Sequence, residues 1–120
     1  MQAPTYDIAL EQSTTYKFNL SLTNGATTPV PLDITNWTFL GHIKEQANVA
    51  VPPIASFTIT VLDLPNALVE VYLSASEADK LTKGRYQYDI IAKNTAVTPM
   101  EVYRLLQGKV TVNLAVTGLN

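Results

Sequence analysis

The chain contains no cysteine. That removes disulfides, thiolate metal sites and thiol nucleophiles together. It leaves the compartment open, because a thiol-free fold works in reducing and oxidising surroundings alike. Charge is also scarce. Asp, Glu, Lys and Arg make up 15% of the 120 residues, against roughly 25% in an ordinary soluble domain. Such a surface is either partly covered by a partner or built from neutral Thr and Asn, and composition leaves both readings open. Lys and Arg are scattered singly and the net charge is −2. Nucleic-acid binding requires a concentrated positive face, so no nucleic-acid partner is expected. No run approaches the ~20 consecutive apolar residues of a membrane helix. The opening "MQAPTYDIALEQ" has neither the basic start nor the apolar run of a secretory signal. The expectation is a protein made in the cytoplasm with no membrane partner.

Chemistry-bearing motifs are missing too. His42 is the single histidine. It alternates away from Trp37 and Phe39, and no H-x-x-H, H-E-x-x-H or H-x-H spacing surrounds it. A general base requires a positioned partner and a metal requires several ligands, so His42 reads as a surface or interface residue. Asp33, Asp63 and Asp89 lie far apart, and no segment offers oxygen ligands at close alternate positions. The phosphate-loop pattern is absent around Gly108, which reads instead as a bulge or bend where a long strand changes sheet. No catalytic residue, metal site or cofactor is expected, and the chain reads as a non-enzyme.

What is present is period-two alternation. Tyr16, Phe18, Leu20 and Leu22 share one face of a strand-like run, as do Trp37, Phe39 and Ile43, with Gly41 between. "SFTITVLD", "LVEVYLS", "RYQYDIIAK" and "KVTVNLAV" repeat the pattern, the last placing Val110, Val112, Leu114 and Val116 together. Proline and Asn-Gly clusters separate these runs. "SASEADKL" breaks the rhythm. Ser74 stands three residues before Glu77, a capping-box spacing, and predicts a short helix over 75–81. The helix is too short to stand alone and is expected to cap the end of a sandwich. Gly84 would then reverse the chain with a positive φ, and Tyr86 would bury its ring and return its hydroxyl to the crossing backbone, as in the tyrosine corner of immunoglobulin-like sandwiches. Tyr88 joins Tyr86 as a core residue. Residues 1–120 therefore read as one all-β domain, an antiparallel two-sheet sandwich of seven or eight strands, with a barrel or jelly roll as the alternative. Leu40, Ile91 and Leu106 fall on outward positions and, with His42, form a candidate interface if they cluster.

The series "WTFLGHIKE", "PIASFTI", "VEVYLSASEADKL", "GRYQYDI" and "YRLLQGKVTVNLAVT" resembles small immunoglobulin-like β-sandwich structural proteins of tailed bacteriophages. Trp37, Phe39, Ile43 and Lys44 match the first element. Leu73, Ser74 and Leu81 match the approach to the turn, and Gly84, Tyr86, Tyr88 and Asp89 the strand after it. Arg104, Leu106, Gly108, Val110, Val112 and Thr117 match the last. Residues 1–30 match weakly. The resemblance implies a virion component of tail, baseplate or neck that docks on other virion proteins, in symmetric copies or a fixed-copy assembly. An exposed edge strand could also accept a neighbour's strand. The alternative is a carbohydrate- or receptor-binding module of a phage tail, for which Tyr6 and Tyr103 are the plausible exposed rings.

Overall fold

A computed structural model describes residues 4–23, 30–46 and 50–117. Seven strands follow in order: β1 (Ile8–Glu11), β2 (Tyr16–Ser21), β3 (Trp37–Lys44), β4 (Ala55–Asp63), β5 (Leu68–Leu73), β6 (Arg85–Asn94) and β7 (Glu101–Asn113), with one helix, α1 (Ala75–Asp79), between β5 and β6. They form a single sheet in the order β1-β7-β6-β3-β4-β5-β2. Every pair is antiparallel except β1, which runs parallel to β7. β4 is the joint. Its Ala55–Phe57 pair with β3, and its ladder with β5 begins at Thr58. The two expected layers are therefore continuous through β4, and the sheet curls until its edge strands β1 and β2, linked through residues 12–15, bring it close to a closed barrel.

The curl buries the alternating apolar face. Ile8 and Leu10 of β1, Val71 and Leu73 of β5, Tyr86, Tyr88 and Ile90 of β6, and Val110 and Val112 of β7 share one core. Each fully buried Ile, Leu or Val there stabilises the fold by about 1.5–3 kcal/mol. A second, smaller core gathers Leu22, Ile34, Ala67 and Val69, with Trp37 and Phe39 packed against it half-buried. Trp37 is thus no central core tryptophan; it lies towards one end. Leu114 and Val116, expected inside, are exposed, because β7 ends at Asn113.

α1 is one turn long. Ser74 Oγ accepts the Glu77 backbone N–H (3.1 Å). The Glu77 carboxylate does not close the box on Ser74; it accepts the Ser56 N–H of β4 (2.9 Å) and pairs with Lys80. The helix is thereby fastened to β4, where the sheet changes partner. Beyond it, the Tyr86 hydroxyl accepts the Lys83 backbone N–H at 2.9 Å. Gly84 departs from expectation. Its φ lies outside the left-handed region, and a Cβ there would meet only the Val112 carbonyl at 3.9 Å. Its own carbonyl accepts the Val112 N–H (2.8 Å), which joins this bend to β7 one residue before β6 begins.

Gly108 also differs from its reading. β7 does not change sheet there. The bulge lies three residues earlier, where Ile90 pairs with Leu106 and Ile91 with Arg104, leaving Leu105 between. Gly108 is small for another reason: residues 4–7 cross β7 at this point. Tyr6 N–H donates to Gln107 O (2.8 Å), Gln107 N–H to Pro4 O (3.2 Å), and Lys109 N–H to the Asp7 carboxylate (3.0 Å). A Cβ on Gly108 would overlap the Tyr6 carbonyl oxygen and stand 2.9 Å from its carbon. The Tyr88 hydroxyl donates to that same carbonyl from inside. Tyr6, Tyr16 and Phe18 close the seam, the Phe18 ring 5.7 Å from Tyr6 and 5.8 Å from Tyr16. Burial, then the Tyr6 hydroxyl, pushes the Tyr16 phenol up to about 12.

Two outcomes follow. Gly108→Ala should destabilise the protein by about 2 kcal/mol or more, because the clash is with backbone. Gly84→Ala should cost under about 1 kcal/mol. Thermal melts of the two variants check this, and equal losses would contradict the close approach at Gly108. The second concerns pH. Hydrogen bonding to Lys80, opposed by partial burial and aided by the Ser56 N–H, holds the Glu77 carboxyl below the ordinary glutamate range. The folded state thus favours the ionised form, so this contribution is complete above the usual range and is lost as pH falls through the lowered value. Glu77→Gln should melt below wild type at neutral pH, with the gap closing below about pH 4. A gap independent of pH would contradict it.

Candidate functional site

The interior is closed and apolar: among the described residues no polar or charged side chain is buried. Two outer surfaces stand out as candidate sites.

The first is the outer face of β3, β6 and β7. Alternation sets it. Tyr86, Tyr88, Ile90 and Ala92 point inward, so Arg85, Gln87, Asp89, Ile91 and Lys93 point outward. Register then aligns the neighbours. His42 pairs with Asp89, Leu40 with Ile91, and Thr38 with Lys93; on the other side Gln87 pairs with Lys109 and Ile91 with Arg104. Leu40 and Ile91, expected outward, are register partners on this face. Leu106 is not with them. It keeps the phase of Val110 and Val112 and points inward at 6% exposure opposite Ile90, because β7 does not change sheet at Gly108; the bulge at Leu105 shifts the alternation only of the residues before it. His42 lines a shallow depression of about 560 Å³ whose other walls include Lys44, Asp89, Arg104 and Lys109. Arg104 Nε lies 3.3 Å from the Asp89 carboxylate, both side chains well exposed. Five of the eight Lys and Arg of the chain stand on this face: Lys44, Arg85, Lys93, Arg104 and Lys109. Against them are Asp89, with Asp7 and Glu11 at the β1 margin. A chain of net charge −2 thus turns a cationic face outward.

The second surface is the end where Trp37 begins β3. Antiparallel register brings the β4–β5 turn and the β6–β7 hairpin there, since Trp37 pairs with Asn94 and β4 runs opposite to β3. Leu62, Leu64, Val97, Met100, Val102 and Tyr103 are all exposed at this end, from 36% to 50%. Leu64 and Pro65 line a small hollow with Pro31, Leu32, Asp33 and Thr35, which ties the second core's cover to the turn. Tyr103 stacks on Trp37, ring centroids 5.3 Å apart at 26°. Three carboxylates border the patch. Asp33 accepts from Thr35, Asp63 from Asn66, and Glu101 from the Tyr103 hydroxyl. Sequence reading missed this surface, because its residues come from four separate segments that only the register brings together.

Among the described residues no group of three or more His, Asp or Glu side chains is placed to hold a metal ion, and no helix is long and apolar enough to cross a membrane. Trp37, Phe39, Gly84, Tyr86, Tyr88 and Gly108 are parts of the scaffold, whereas Leu40, His42 and Ile91 share the outer face. No protein-family model matches this sequence, and no curated protein matches it either.

Tyr103→Ala should uncover the lone tryptophan, Trp37, shifting its fluorescence to the red and increasing its quenching by acrylamide, with a stability loss of about 1 kcal/mol. An unchanged emission maximum would contradict the stacking.

Proposed function

We infer that this chain is a non-enzymatic structural component of a tailed bacteriophage particle, at the tail, baseplate or neck, and that it works by docking on other virion proteins. The observation supporting docking most strongly is the end patch. Two chain reversals at this end, the β4–β5 turn and the β6–β7 hairpin, each carry exposed large apolar side chains, and exposed apolar surface of this kind accompanies protein interfaces. A rigid closed core beneath it suits a part that holds shape rather than one that turns over substrate.

The finer fold reading, an immunoglobulin-like sandwich, is part of the same proposal. Strand neighbours β2–β5–β4 and β3–β6–β7 correspond to the B–E–D and C–F–G groupings of such sandwiches. The Tyr86 hydroxyl bonded to the Lys83 backbone at the entry to β6 supports it further. A glycan-binding module is the second reading, favoured by the polar depression around His42 and Asp89. Its weakness is the absence of an exposed aromatic platform in that depression among the described residues.

Quantitative peptide mass spectrometry of purified tailed particles from the source checks the first reading. The chain should be present at a fixed ratio to the other tail proteins. Its absence from intact particles would overturn the virion role, and binding on a glycan array would favour the alternative.

A further inference from the structure

We propose that copies of this chain dock head to tail, the acidic, apolar end of one copy seating on the cationic outer face of the next. The inference rests on the docking reading above and names the partner and both surfaces. It starts from charge. The face of β3, β6 and β7 sets five cations against three carboxylates, whereas the chain as a whole is acidic. The end set by the β4–β5 turn and the β6–β7 hairpin has the opposite sign, with Asp33, Asp63 and Glu101 around its patch. Lys93, one of the five, lies where the face runs into that end; without it the face still sets four cations against its three carboxylates.

Apolar surface is matched in the same way. The end offers Leu62, Leu64, Met100 and Val102. The face offers the neighbouring Leu40 and Ile91, beside the shallow depression that His42 lines. Because each surface complements the other and not itself, the contact is heterologous. Such a contact makes rings when the rotation closes and filaments when it does not. Opposite charges set orientation and speed encounter, while the apolar centre supplies most of the affinity.

The test exchanges the charges. Arg85→Glu with Lys109→Glu reverses the face, and both positions are exposed. Asp63→Lys with Glu101→Lys reverses the end. By light scattering at low salt, wild type should show at least twice the 13.1 kDa monomer mass. Each reversed chain alone should be monomeric. Mixing the two should restore association, and a chain with all four changes should assemble as wild type does. Thermal melts of each variant confirm folding, and Leu64→Ser with Met100→Ser should abolish association without altering charge. A monomeric wild type, or folded reversed chains that associate alone or fail to associate when mixed, overturns head-to-tail docking. These outcomes are separable from the virion role: a monomeric chain present in particles would sink only the self-docking, and a self-docking chain absent from particles would sink only the virion role.

Discussion

The ladder between β3 and β4 runs only from Gly41 to Ile43, and the ladder between β4 and β5 starts at Thr58. This change of partner along one strand is the constraint on which the molecule depends. It makes one sheet out of two groups of strands and sets the curl that lets β5 face β6 across the core. The helix end is fastened at the same place, through Glu77 and the Ser56 N–H. Phe57, the last residue paired with β3, packs its ring edge-on against Tyr88 at 5.9 Å. The point where β4 leaves β3 is therefore also a point where the core is filled.

Closure gives the outside its character. Residues 4–7 strap across Gly108, and β1 then adds in parallel to β7, so the outer side of β7 is covered by the chain's own N-terminal segment. With the interior sealed by apolar side chains, the charged side chains among the described residues are left to the surface. Alternation then sorts them. Strands that point tyrosine and isoleucine inward must point arginine, lysine and glutamine outward, and three adjacent strands make that a face. Hairpin tips obey no such alternation. Their apolar residues collect at the end where the chain turns, beyond the reach of either core.

Much of this was legible in the sequence because period-two alternation reports directly on which face is buried. Tyr86, Tyr88, Ile43 and Val110 could be placed inside from spacing alone, and the Ser74–Glu77 spacing located the helix start. The failures have physical causes. β1 is four residues long with only Ile8 and Leu10 inward, too short to show a period, and its parallel partner is about a hundred residues away. Leu106 was misplaced because Gly108 suggested a change of sheet, whereas β7 keeps one phase from Leu106 to Val112 and breaks it at Leu105, where no proline or glycine marks the bulge. Gly84 was misread because glycine beside a turn suggests a positive φ, whereas here φ lies outside the left-handed region and the Gly84 carbonyl joins the bend to β7. Gly108 owes its size to a neighbouring backbone that no local pattern announces. Neither candidate surface could be read as a unit, since each is assembled by register between distant strands.

The central claim is that one strand belongs to both halves of the sheet. Nuclear Overhauser contacts between backbone protons of β4 and its neighbours test it most directly. The structure predicts cross-strand contacts from residues 55–57 to residues 41–43 of β3, then from residues 58–61 to residues 69–72 of β5. Contacts from β4 to β3 along its whole length, with none to β5, would contradict the fold and every surface derived from it.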